Sequence, residues 1–308
     1  MRLPDSPDSA GRAKWCLVSN RGATIDRFGS LLAALDIRAG DTLLVHSDLR
    51  DLVRLADPGE LAGQTDARQF LLRAFDTALI EAVGDAGTIC VLGTYSDYAR
   101  FGKPFDLKES PPDPQYGAYN RYLFDQGSAR RSLNPLVGFL AKGAKAGWIC
   151  EHVSACGFGP NTPWDRLTSL DGTMLFWGVD LRNMTFVHHV EQQVGVPHLY
   201  HKAYNTPVVI EGKSIDLPVI TSVRYLDFNI VYNFRRLTED LAATGLLKSF
   251  REPPFQAHAV KCRAVQSHLE RALAKDPYYL LAARPQFVPG QIPTDGPTGP
   301  RRGEAYSA

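Results

Sequence analysis

The runs Gly40-Asp41-Thr42-Leu43-Leu44-Val45-His46-Ser47 and Gly87-Thr88-Ile89-Cys90-Val91-Leu92 decide the fold. Each is a short apolar stretch entered through a glycine turn, the pattern of a strand buried on both faces. Between them, Thr65 to Val83 sets Phe70, Leu71, Ala74, Phe75, Ala78, Leu79 and Ala82 on one helical face, and Gly84 ends the run. Strand, helix and strand in that order predict a right-handed crossover and parallel pairing. Upstream, Thr24 to Leu35 carries Ile25, Phe28, Leu31, Leu32 and Leu35 at helical spacing, with Thr24 as N-cap. Downstream, Gly172 to Gly178 repeats the buried-strand signature. Val208-Val209-Ile210, the turn Glu211-Gly212-Lys213 and Ile215 to Val219 predict a hairpin that makes the sheet mixed. Arg236 to Leu247 and Val260 to Ala274 read as late helices. The expected fold is α/β, a three-layer α/β/α sandwich around a mixed, largely parallel sheet.

The ends read differently. Residues 1–13 form an expected flexible arm, 14–284 a single domain, and 285–308 a tail dense in proline and glycine. Across 308 residues, 34 Lys+Arg stand against 33 Asp+Glu. That near-neutral balance argues against a dedicated nucleic-acid binder. No apolar signal region opens the chain and no apolar run is long enough for a membrane span, so a cytoplasmic protein is expected. Cys16, Cys90, Cys150, Cys156 and Cys262 form no CxxC pair and read as reduced thiols.

Ligands of such sheets sit beyond the carboxyl ends of the strands. Those ends carry His46-Ser47-Asp48, Gly93-Thr94-Tyr95-Ser96-Asp97 and, after Val179, Asn183 to Glu191. No dinucleotide glycine fingerprint, GxxxxGK[ST] loop or GxSxG elbow occurs. Histidine chemistry remains. His188 and Glu191 share one helical face, and a helix starting near Thr185 puts His188 in its first turn. The dipole there favours a neutral imidazole, a base for an attacking amine or hydroxyl. A partly buried histidine–carboxylate pair is the purely structural alternative. His188, His189, Glu191, His198 and His201 also read as a metal site of a hydrolase, although Pro197 breaks any single helix through them.

Further runs extend the pattern in order. Leu43 to Ser47, Gly87-Thr88, Phe105-Asp106, Arg131-Ser132 and Pro135 are followed by Gly157-Phe158-Gly159 and Pro163-Trp164-Asp165-Arg166-Leu167. Asp171-Gly172, Gly178-Val179 and Thr185-Phe186-Val187-His188-His189-Val190-Glu191 complete the set. In this ordered set the chain resembles the aminoglycoside 3-N-acetyltransferases and their biosynthetic relatives, over roughly residues 24–283. The resemblance implies an acyl-CoA-dependent N-acyltransferase in which the acceptor amine attacks the thioester directly, without an acyl-enzyme. It makes His188 the catalytic histidine, with Glu191 its carboxylate and Asp227 the late acidic position. Asn229 stands where some relatives carry a second carboxylate.

The resemblance also implies a pantetheine contact at His46 and Ser47. It places Arg131 and Ser132 in the same cofactor region, where an arginine would hold phosphate. Tyr95, Asp97 and Asp106 fall in the acceptor wall. Departures from the family's pattern are Asp48, Asn134 and Gly138. The wall segment holds Asp106, Glu109 and Asp113 but also Arg100, Lys103 and Lys108, whereas a polycationic aminoglycoside prefers a strongly acidic pocket. The expected reaction is acetyl transfer from acetyl-CoA, or another acyl-CoA, to an amine of an aminoglycoside, amino sugar or related metabolite. No nucleic-acid or membrane partner is expected, and the oligomeric state, homodimer included, stays open. A non-catalytic module that keeps acyl-CoA affinity is the third reading.

Overall fold

The computed structural model describes residues 22–225 and 227–288. The expected arm, Cys16 and the tail beyond residue 288 lie outside them. The strands run, in chain order, β1 (Thr42–Ser47), β2 (Thr88–Leu92), β3 (Phe105–Asp106), β4 (Arg130–Arg131), β5 (Phe139–Gly143) and β6 (Thr173–Trp177). They continue with β7 (Leu199–Tyr204), β8 (Val208–Ile210), β9 (Lys213–Ile215), β10 (Val219–Arg224), β11 (Lys248–Glu252) and β12 (Phe255–Lys261).

Seven of them form the main sheet in the order β11-β12-β6-β1-β2-β5-β4. Parallel pairing occupies the centre, β6 with β1 and β1 with β2, as the buried runs predict. The outward pairings are antiparallel, so the sheet is mixed. Successive side chains of a strand face opposite layers. Leu43, Val45, Ile89, Val91, Leu175 and Trp177 accordingly pack with the helices Ala23–Ala34 and Ala67–Val83 on one face. Leu44, Cys90, Leu92, Met174 and Phe176 pack on the other face with the helices Pro163–Ser169, Phe186–Val194 and Cys262–Lys275. That is the expected three-layer α/β/α arrangement.

Several boundaries differ for local physical reasons. The first helix begins at Ala23 with Gly22 at the N-cap, not Thr24. Glu60 accepts the Ala23 and Thr24 N–H groups at 2.6 and 3.0 Å, while the buried Thr24 hydroxyl accepts from Asp57 N at 3.0 Å. A carboxylate from elsewhere in the chain does the capping. The helix Ala67–Val83 is capped by Asp66 and ends at Gly84 with φ +63°. Val260 belongs to β12, and the last helix starts at Cys262.

The predicted hairpin also moves. Val208–Ile210 pairs with Lys213–Ile215 and with β3 in a separate three-stranded sheet, while Val219–Arg224 pairs antiparallel with β7. The antiparallel character of the main sheet therefore comes from β4, β5, β11 and β12. The two small sheets share a third apolar cluster of Tyr98, Phe105, Leu136, Tyr204, Val208 and Val219. Cys90, Cys150, Cys156 and Cys262 carry no disulfide. Among the described residues no helix is long and apolar enough to cross a membrane.

Candidate active site

The helix Phe186–Val194 follows Thr185 and carries His188 in its first turn. Its buried residues Phe186, Val187, His189, Val190 and Glu191 fix the helix against the core, and His188 stands beside Glu191 at the edge of that buried face. Glu191 is wholly enclosed, yet its carboxylate accepts hydrogen bonds from several sides. His188 Nδ1 lies 2.8 Å and the Tyr232 hydroxyl 2.9 Å from Oε2, and His198 Nε2 lies 2.9 Å from Oε1. Burial pushes this carboxyl upward, but the hydrogen bonds and charge of His188 and His198 outweigh it and hold it below the usual range.

An ionised carboxylate can only accept, so Nδ1 of His188 carries a proton, and in the neutral ring this leaves the lone pair on Nε2. The Tyr232 phenol, pressed upward by burial and by the Glu191 charge, stays protonated and donates. His198 is fully buried, and its Nδ1 has no hydrogen-bond partner among the described residues.

Two cavities meet at His188. The larger, about 720 Å³, starts at the ends of β1 and β2 with His46, Ser47 and Leu92 and reaches Arg50 and Arg182. These two guanidiniums are exposed and paired with Asp48 and Asp180. The smaller, about 410 Å³, is walled by Thr94, Ser96, Leu199 and the β10 run Thr221 to Arg224. Gln115, Tyr116, Thr185, His188 and Tyr232 line both. His46 stacks on Phe176, with ring centroids 5.0 Å apart, and burial drives its ring down to about 4, so it is neutral. Its Nε2 is buried with no hydrogen-bond partner among the described residues.

The other predicted residues lie elsewhere. Arg131 is buried and donates to the backbone carbonyls of Ser110 and of Gly93, the latter at 2.6 Å. Its guanidinium also covers the Phe105 ring at 4.4 Å. Ser132 is wholly buried, and its hydroxyl accepts Phe139 N at 2.8 Å. Neither lines the two cavities, and both belong to the frame that joins β4, β5 and the loop after β2. Arg131→Lys is accordingly expected to cost about 2 kcal/mol of stability and to leave KM for acetyl-CoA within twofold. Thermal unfolding and steady-state kinetics check this; a large KM rise at unchanged Tm would return Arg131 to the cofactor.

Asp97 pairs with Lys103 at 2.7 Å, and Asp106 accepts Lys108 N and Glu109 N at 2.8 and 3.1 Å. Tyr95 stacks on Phe105. Tyr95, Asp97 and Asp106 build the segment that carries Ser96 but do not themselves line either cavity, and Asp227 is likewise absent from both linings. The five-residue metal constellation does not converge. His189 faces Gly159 N at 3.3 Å and Gln193 Nε2 at 3.1 Å, and His201 pairs with Ser222 at 3.2 Å. Among the described residues no group of three His, Cys, Asp or Glu could hold a metal ion. Tyr232 is the contributor that sequence reading missed. It approaches from a loop far along the chain, and no spacing signals it.

The family model for aminoglycoside 3-N-acetyltransferase matches residues 44–274. Aminoglycoside N(3)-acetyltransferase VIII of Streptomyces fradiae is 27% identical over 273 residues, covering 79% of this chain and 89% of its own. Aminoglycoside N(3)-acetyltransferase III of Serratia marcescens is 27% identical over 202 residues, 60% of this chain and 70% of its own. Among solved structures, the AAC-IIIb binary complex with CoASH superposes with a TM-score of 0.67 at 22% identity, covering 85% of this chain and 99% of that one. At that identity the likeness speaks for the fold. The chain belongs to the aminoglycoside 3-N-acetyltransferase family, and it is an N-acetyltransferase.

Proposed function

We propose that the protein transfers the acetyl group of acetyl-CoA to a primary amine of an aminoglycoside, amino sugar or related metabolite, with His188 as general base. The observation that carries this reading is the His188 ring, anchored through Nδ1 to Glu191 at the junction of two cavities. A transferase that works by direct attack needs both substrates to meet at one base, and pre-orienting them there removes much of the entropic barrier.

The larger cavity suits acetyl-CoA. Its lining includes the guanidiniums of Arg50 and Arg182, and in His46 Nε2 a buried polar atom that a bound amide or carbonyl would satisfy. Asp48 caps the next helix through Arg50 N at 2.9 Å and holds this wall in place. The smaller cavity takes the amine. The amine nitrogen forms the new bond to the thioester carbon, its proton passes to His188 Nε2, and the C–S bond breaks. The leaving thiolate then recovers that proton. Glu191, Tyr232 and His198 hold the ring in the one tautomer that leaves Nε2 able to accept.

We assign the transferase domain to residues 14–284 and place the enzyme in the cytoplasm, where its acyl donor is made. The test is thiol release from acetyl-CoA across a panel of amines, with mass detection of the N-acetyl product. Acceptor-dependent release with a matching product is expected. Acetyl-CoA binding without release for any amine would instead leave a binding module.

A further inference from the structure

The stretch 227–231 lies between β10, whose end residue Arg224 lines the smaller cavity, and Tyr232, which lines both cavities. Within it, Phe228 and Asn229 hold φ at +68° and +51°. Asparagine tolerates this left-handed region, but a bulky phenylalanine there is strained and stays only where its surroundings fix it. Those surroundings come from the residues after the last helix. Leu280, wholly buried, anchors them in the core. Leu281 bridges antiparallel to Tyr232, with Asn233 N donating to Leu280 O and Ala282 N to Val231 O, both at 2.8 Å. Further on, the Phe287 ring lies 5.1 Å from that of Phe228 and 6.3 Å from that of Tyr225. Tyr225 stacks on Tyr200 at 4.7 Å, next to Leu199 in the wall of the smaller cavity. One end of the stretch is held by backbone hydrogen bonds and the other by aromatic rings.

We infer that residues 280–287 form a clasp on the acceptor side of the site, with Phe287 as a positioning residue. Its ring holds the strained Phe228 and, through Tyr225 and Tyr200, the ends of β10 and β7 in the shape that receives the amine. This rests on the smaller cavity being the amine site. The backbone bridge at Tyr232 does not need the ring, so Phe287 acts on acceptor binding and not on Glu191 or the acyl donor. The start of the proline- and glycine-rich stretch, expected from the sequence to be a flexible tail, thereby belongs to the working site.

The experiment compares the full chain with Phe287→Ala and Phe287→Trp. Chymotrypsin cleavage after Phe228, followed by mass spectrometry under native conditions, is expected to speed up about tenfold in Phe287→Ala, the strain being released once the ring is gone. Steady-state kinetics use acetyl-CoA with gentamicin and with glucosamine. KM for whichever amine is turned over is expected to rise about tenfold in Phe287→Ala, with kcat and KM for acetyl-CoA within about twofold of the wild type. Phe287 is 39% exposed, so Tm should hold, and the large ring of Phe287→Trp should restore both readouts. Wild-type cleavage, an unaltered amine KM, or an acetyl-CoA KM that rises as much as the amine KM overturns the inference. Turnover that is lost in His188→Ala but indifferent to Phe287 leaves the transferase reading standing without the clasp. If the full chain acetylates neither amine, both fall.

Discussion

His188→Ala is expected to lower kcat by about 10²- to 10⁴-fold, with acetyl-CoA affinity near that of the wild type and an unchanged fold. The size of the loss follows from what else lines both cavities. Gln115 and Thr185 are not bases, and the Tyr116 phenol is pushed upward by burial and stays protonated. Tyr232 donates its proton to Glu191 and is held protonated as well. No neighbour can take over the proton. The His188 side chain is 31% exposed, so truncating it removes little packing. Single-turnover kinetics, calorimetric titration of acetyl-CoA and thermal unfolding measured on one preparation separate loss of chemistry from loss of structure. Wild-type turnover in the variant would remove His188 from the reaction.

Glu191→Gln should damage both stability and rate. The native carboxylate accepts from His188, Tyr232 and His198 in a site with no access to water. An amide of the same shape replaces one oxygen with an NH₂ group, which must then face a donor. Breaking a buried charged network in this way costs on the order of 3 kcal/mol. Loss of the orienting bond should lower kcat a further 10- to 100-fold. The pH dependence has a definite sign. The folded carboxyl lies below its ordinary 4.5, so the wild-type advantage is complete above that value and is lost as pH falls toward the depressed native one. Chemical denaturation at pH 7 and at pH 4 measures it. A gap between wild type and variant that widened on acidification would contradict the geometry.

The legible parts of this molecule were those with short-range signatures. β1, β2 and β6 are continuous apolar runs because helices cover both of their faces, and such runs read as strands without tertiary knowledge. His188 and Glu191 were found together because three residues on a helix is one face. β7 is only half-buried, and its sequence gives weak alternation. β12 runs directly into the last helix, so the apolar Val260 was counted to the wrong period. Arg131 looked like a ligand-binding cation because nothing local shows that Gly93 and Ser110 carbonyls meet it inside the fold. Asp106 served a turn of its own segment. Tyr232 reaches Glu191 only through a tertiary contact with no linear trace, and His198, which the sequence groups with Glu191 as a metal ligand, is instead its hydrogen-bond partner.

The walls of the two cavities come from different parts of the architecture. The larger cavity, proposed above for the acyl donor, begins at β1, which is buried throughout and sits at the centre of the main sheet. The smaller cavity, proposed for the amine, leans on β10 and β7, a two-stranded sheet outside that core, and on the segment that follows β2. Substitutions at the β1 end are coupled to the integrity of the whole domain, whereas one at Arg224, whose printed hydrogen bond goes to Ile230 O, falls in an accessory layer. Lineages descended from such a scaffold can therefore exchange one amine for another by drift in a peripheral module, while donor chemistry stays locked to the fold.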